Sequence, residues 1–314
     1  MMTQGRIAAD WRLDSMRAYL ELTKPRITWL ILMSTGIGYW FGLLPGWSLP
    51  NLLHTLVGTA LLASGTAALN QWYERDVDAL MHRTQGRPLP AGRVRAGRAL
   101  AFGVVLSAAG FSELWLAVNP LAALLGLFTL GAYLLLYTPL KRISPACTTV
   151  GAFSGAMPPL IGYAAAAGHL TAQAWVLYGI LFLWQFPHFL SIAWIYREDY
   201  RRGGIAVLPV VRPEGVETAR QVLIASLLLV PLSLAPGFIG MSGKLYVAAA
   251  LGLGLVYFGA SLRLARVRSI PRARQLLLTS VVYLPLLYAF VLLDSGLAHR
   301  SVSTLAAFVL AVLK

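Results

Sequence analysis

A chain of 314 residues that is 58% apolar and only 12% charged, with a mean hydropathy of +0.68, lies outside the composition of soluble globular proteins, and lipid is the expected solvent for most of it. The net charge of +14 would suit nucleic acid only if the basic residues shared a soluble face or tail, whereas they sit between apolar stretches, so no nucleic-acid partner is expected. A single cysteine, Cys147, excludes an intramolecular disulfide and is read as a packing residue.

Residues 1–26 form a polar arm that mixes Arg6, Arg12 and Arg17 with Asp10, Asp14 and Glu21. Acidic residues are scarce in transit peptides, so no cleavable targeting segment is expected. Beyond the arm the fold class is all-α. Nine stretches approach the ~20 residues a helix needs to cross about 30 Å of hydrocarbon. They fall at 27 to 45, 51 to 73, 99 to 118, 120 to 138, 146 to 166, 172 to 194, 219 to 238, 245 to 262 and 275 to 293. The expectation is a membrane-embedded domain over 27–300, nine transmembrane helices around a central cavity open toward the cytoplasmic side. The apolar tail 301–314 is too short to span and is expected at the interface. Pro158-Pro159 and Pro187 imply broken helices beside a cavity.

Of the 26 basic residues, all except Lys244, Arg300 and Lys314 fall on one side of such a topology. The positive-inside rule then places the N-terminus in the cytoplasm and the C-terminus outside, and with no transit signal expected a bacterial inner membrane is preferred over an organellar one. The outer loops are very short, as at Val118 to Pro120 and Gly168 to Thr171, so chemistry on polar groups belongs at the cytoplasmic face.

The second stretch ends in Leu69-Asn70-Gln71-Trp72-Tyr73-Glu74-Arg75-Asp76-Val77-Asp78. Asn70, Glu74 and Asp78 recur every fourth residue, one stripe on a helix with about 6 Å of rise between members, and Asp76 points away. Like charges at that spacing repel, and a carboxylate near lipid costs several kcal/mol, so the stripe needs a compensating cation. Mg²⁺ suits it, because that ion takes carboxylate and amide oxygens and bridges to phosphates. The bland alternative is acids neutralising arginines at a helix end. A second acidic pair, Glu198 and Asp199, lies on the same expected face. Arg83 and Arg87, with Lys141 and Arg142, would supply donors to phosphate oxygens. Together these residues suit a substrate with a diphosphate head and a long hydrocarbon tail, whose ionisation Mg²⁺ and arginine would assist.

The spacing Asn70, Glu74, Asp78, then Arg83-Thr84 and Arg87-Pro88-Leu89-Pro90, resembles the first signature of the membrane-embedded UbiA-type prenyltransferase superfamily. Trp184-Gln185-Phe186-Pro187-His188-Phe189, Asp199-Tyr200, Gly203-Gly204-Ile205 and Leu208-Pro209-Val210 look like its protoheme IX farnesyltransferase branch. So do Tyr137-Thr138, Leu140-Lys141-Arg142 and the run Gly155 to Gly162. The match covers about Thr23 to Val210, with Glu74 standing where many relatives have Asp. The resemblance implies an Mg²⁺-dependent transfer of farnesyl from farnesyl diphosphate to a vinyl group of haem B, with addition of water to give haem O. Asn70, Glu74, Asp78 and Asp199 would bind the Mg²⁺-diphosphate, helped by Arg83, Arg87, Lys141 and Arg142, with Glu198 a weaker member. A haem A synthase or a terminal oxidase would be a recipient of the product. His188 is assigned either a role near haem or a hydrogen bond to a neighbouring helix. The rival readings are a related prenyltransferase with a 4-hydroxybenzoate-like or chlorophyll-like acceptor, and an anionic-lipid transporter.

Overall fold

A computed structural model describes residues 16–43 and 48–295, and all of its regular structure is helical. The expectations for the start of the arm, including Arg6, Arg12, Asp10 and Asp14, and for the tail 301–314 lie outside the described residues. After a helical stretch at 16–22 the chain forms α1 (Pro25–Gly42), α2 (Leu49–Asp78), α3 (Ala96–Ala117), α4 (Pro120–Leu140), α5 (Cys147–Gly155) and α6 (Pro158–Ala167). Then come α7 (Ala172–Ile195), two short helices α8 (Arg197–Arg202) and α9 (Leu208–Val211), and α10 (Val216–Phe238), α11 (Lys244–Arg266) and α12 (Ile270–Leu293).

Among the described residues seven helices, α2, α3, α4, α7, α10, α11 and α12, are long and apolar enough to cross a membrane. The other two expected spans take different forms. The stretch 27 to 45 corresponds to the 18-residue α1, and 146 to 166 is divided into α5 and α6, which meet at Ala156 and Met157 before the Pro158-Pro159 pair. That break follows from proline, which cannot donate to the preceding turn but is pre-set for the first turn of a new helix. The break expected at Pro187 is corrected, since α7 runs through it for 24 residues. Proline inside a membrane helix removes only one backbone hydrogen bond, a loss that such helices tolerate. Tyr257 Oη donates to the Trp184 carbonyl at 3.0 Å, one residue beyond the carbonyl that Pro187 leaves without its usual amide.

The helices fall into two compact units. The first consists of the described part of Met1–Leu170 with Tyr196–Pro213, and the second of Thr171–Ile195 with the described part of Glu214–Lys314. In the first unit α1 packs on α6 and α2 on α3. These pairs approach through small residues, as expected where lipid offers no hydrophobic drive and close backbone contact must supply the attraction. A Cβ added to Gly38 would lie 2.0 Å from the Pro159 carbonyl oxygen, and one added to Gly162 would lie 1.8 Å from that of Thr35. Larger residues at either position would push α1 off α6. In the second unit α7, α10, α11 and α12 pack successively into a ring of four, α12 closing on α7.

Candidate active site

Helix α2 continues well past the expected end of its apolar stretch, to Asp78, and so carries Asn70, Glu74 and Asp78 on a single helical element. Asn70 and Asp78 are each 1% exposed, whereas the Asp76 side chain is 83% exposed and lies beside Arg75 at 3.6 Å. The stripe therefore faces inward and Asp76 outward, as the four-residue spacing requires.

Each carboxylate of the stripe holds one cation. Glu74 Oε1 accepts from Lys141 Nζ at 2.7 Å, and Asp78 Oδ2 accepts from Arg87 Nη1 at 2.7 Å. Lys141 and Arg142 are neighbours with opposite fates. Lys141 follows the last residue of α4, is largely buried and lies 4.5 Å from the Tyr137 ring centroid, while Arg142 is exposed and no hydrogen bond or ion pair joins it to the cluster. Burial would lower the Lys141 ammonium, but Tyr137 and Glu74 hold it well above its ordinary value. The π-helical stretch Ala132–Tyr137 in α4 sets this geometry, since a wide turn re-aims the side chains that follow. Thr138 Oγ1 donates to the Tyr133 carbonyl at 2.7 Å and accepts from Asn70 Nδ2 at 3.3 Å.

A residue that sequence reasoning placed only in the N-terminal arm completes the cluster. Lys24 Nζ donates to Asn70 Oδ1 at 3.1 Å, from a backbone at φ 49° and ψ 60°. It is the only non-glycine with positive φ among the described residues. Pro25 disfavours the right-handed helical conformation at the residue before it, so the chain turns through the left-handed region, at a cost of order 1 kcal/mol or more. Strain of this kind concentrates where the surroundings hold a side chain for a purpose. Burial, reinforced by Arg87, lowers the Lys24 pKa to about 7. The available signal in the sequence was a lysine directly before the proline that opens an apolar helix.

The segment after α2 folds back over the same end of the unit. Thr84 Oγ1 donates to the Asp78 carbonyl at 2.9 Å. Asp199, in α8, accepts from the His82 amide at 3.2 Å through Oδ1 and from the Arg83 amide at 3.3 Å through Oδ2, and it pairs with Arg202. Burial alone would raise its pKa, but these donors hold it below the usual carboxylate range. Arg83 lies over the rings of Tyr196 and Tyr200 at 5.0 and 5.1 Å and donates to Tyr200 Oη at 2.9 Å. Glu198 is exposed and pairs with Arg201 at 2.5 Å. Among the described residues no three acidic, histidine or cysteine side chains are grouped closely enough to hold a metal ion by themselves. Asn70, Glu74 and Asp78 nonetheless supply hard oxygen donors on one face, the chemistry that Mg²⁺ takes when a substrate's phosphates complete its shell. Lys24, Lys141 and Arg87, facing two carboxylates and an amide, leave excess positive charge for a polyanion.

In the second unit His188 is half-buried on α7, stacked on Trp184 with ring centroids 4.7 Å apart, and its Nδ1 lies 2.8 Å from Ser280 Oγ on α12. Cys147 is buried, in keeping with a packing role.

Residues 30–282 match the UbiA prenyltransferase family. A protoheme IX farnesyltransferase of Solibacter usitatus (strain Ellin6076) is 62% identical over 288 residues, covering 89% of this chain and 99% of its own. One of Koribacter versatilis (strain Ellin345) is 46% identical over 292 residues, covering 89% and 93%. Among solved structures, that of a digeranylgeranylglyceryl phosphate synthase superposes with a TM-score of 0.75 at 16% identity, covering 89% of this chain and 98% of the other. A UbiA homologue from Archaeoglobus fulgidus bound to GPP and Mg²⁺ superposes with a TM-score of 0.64 at 19% identity, covering 87% and 99%.

Proposed function

The chain belongs to the UbiA prenyltransferase family, and on that premise we propose that it transfers farnesyl from farnesyl diphosphate to a vinyl group of haem B, with addition of water, to give haem O and diphosphate. The observation that carries this reading is the 62% identity, over nearly the full length of both chains, to a protoheme IX farnesyltransferase. The cluster on α2 supports its chemistry. In the reaction the allylic C–O bond breaks with its electron pair departing on diphosphate, the vinyl π electrons attack farnesyl C1, and water adds to the resulting cation with loss of a proton.

Lys24, Lys141, Arg83 and Arg87 bind the diphosphate, with Arg142 at the exposed edge. In the structure Lys141 and Arg87 are held by Glu74 and Asp78, so they are positioned before substrate arrives and need only exchange one anion for another. Pre-set charge of this kind stabilises a leaving group more than water does, because no dipoles have to reorient as the bond breaks. Asn70, Glu74, Asp78 and Asp199 would hold Mg²⁺, which when bound would neutralise charge developing on the diphosphate. Asp199 also ties α8 to the amides of His82 and Arg83, and so holds the loop that carries Arg83 and Arg87. His188 contacts haem.

The N-terminus lies on the cytoplasmic side of a bacterial inner membrane. Reporters placed after Gly86 or Arg212 are then cytoplasmic and one after Gly168 is not. Haem O passes on to a haem A synthase or a terminal oxidase. The decisive assay incubates purified protein with farnesyl diphosphate, Mg²⁺ and haem B and looks for the mass of haem O. Prenylation of 4-hydroxybenzoate with no turnover of haem would overturn the acceptor assignment.

A further inference from the structure

The hydrogen bonds around His188 fix which of its ring nitrogens carries the proton. Ser280 Oγ lies 2.6 Å from the Leu277 carbonyl oxygen and 2.8 Å from His188 Nδ1. A serine hydroxyl has one proton, and a carbonyl can only accept. If that proton pointed at His188, two acceptor oxygens would face each other at 2.6 Å. Both contacts become hydrogen bonds only when Ser280 donates to Leu277 and His188 Nδ1–H donates to Ser280. Nδ1 therefore carries a proton, and in the neutral imidazole the lone pair is on Nε2.

Further contacts hold the ring in place. Trp184 stacks on it at an interplanar angle of 22° and is itself tied to α12 by Nε1 donating to the Ser280 carbonyl at 2.9 Å. Tyr257 Oη holds the Trp184 carbonyl from α11. Among the described residues His188 Nε2 has no hydrogen-bond partner, and it is absent from the buried side-chain atoms that lack one, so it remains accessible. A neutral imidazole whose Nδ1–H is oriented by an oxygen and whose Nε2 is free is the arrangement used for metal ligation. It is the wrong one for a propionate, which would need a proton on Nε2.

We infer that His188 binds the acceptor as an axial ligand to the haem iron, through Nε2. This rests on the haem reading above and assigns the contact that reading leaves open. An axial bond fixes the porphyrin plane relative to α7 and leaves rotation about the Fe–N bond as the main freedom. The vinyl carbons are thereby confined to one ring of positions before chemistry begins.

The test is resonance Raman spectroscopy of the purified full-length protein loaded with ferrous haem B, without farnesyl diphosphate. The expected result is an iron–histidine stretching band in the wild type that is lost in His188→Gly and restored by added imidazole. In Ser280→Ala the band should persist but move to lower frequency, because the Nδ1–H bond no longer strengthens the ligand. Rescue by imidazole requires a folded protein, and the wild-type spectrum does not depend on any variant folding. A wild type that makes haem O without showing the band, or a His188→Gly protein that keeps it, would overturn the inference while leaving the farnesyl transfer standing. A wild type that neither binds haem nor converts it would remove the acceptor reading and this inference with it.

Discussion

At the candidate site of the first unit the carboxylates are held in ion pairs, Glu74 with Lys141 and Asp78 with Arg87, whereas in the second unit Trp184, His188, Tyr257 and Ser280 form a network that includes no carboxylate, lysine or arginine, bonded to one another or to backbone carbonyls. Both arrangements meet the demand that a polar group removed from water find a partner, but their costs differ. A neutral hydrogen bond that is lost costs about 1 to 3 kcal/mol, while a charge left unpaired costs several. Paired ions are an expensive way to stabilise a membrane protein and a suitable way to wait for a charged substrate. Neutral networks are cheaper and hold geometry, which suits the orientation of a ring.

The largest effect should come from breaking one buried pair. Lys141→Met leaves Glu74 unpaired and should destabilise the protein by about 3 to 5 kcal/mol, read as a lowered thermal midpoint in detergent. Adding Glu74→Gln should restore much of that loss, the signature of a coupled pair. If Lys141→Met is as mild as Ser280→Ala, expected at about 1 kcal/mol, the contrast between the two units fails.

Next in size is Asp78→Asn, which changes charge at nearly constant volume. Turnover should fall about 10²- to 10³-fold, or ~3 to 4 kcal/mol in the barrier, with protein levels matched. Asp76→Asn, on the exposed side of the same helix, should stay within about 0.5 kcal/mol. Equal turnover in the two variants would take the stripe out of the site.

The smallest and most selective effect concerns Lys24, whose pKa is lowered to about 7. The charged form, which binds anions, prevails below that pH, so rising pH should discharge it. KM for farnesyl diphosphate should then increase above pH 7 by up to about tenfold per pH unit. Lys24→Arg stays charged throughout and should show a flatter profile. Identical slopes would mean that another group titrates.

What could be read directly from the chain were features set by short-range periodicity. Apolar stretches imply spanning helices because lipid leaves the backbone no partner but itself, and seven of the nine expected ones are long helices of that kind. The four-residue repeat of Asn70, Glu74 and Asp78 on one helix, with Asp76 facing away, follows from 3.6 residues per turn, and the break before Pro158 follows from proline's missing donor. Tertiary structure decided which charges meet. Lys24 reaches Asn70 across 46 positions and Lys141 reaches Glu74 across 67, separations at which no local rule applies. Only packing buries Lys141 and leaves Arg142 exposed. The same packing turns Asp199 toward two backbone amides, carries α7 unbroken through Pro187, and fixes the His188 proton through a serine 92 residues away. Periodicity assigns a residue to a face, but the partner on that face comes from another helix, and its identity is set by how the helices pack.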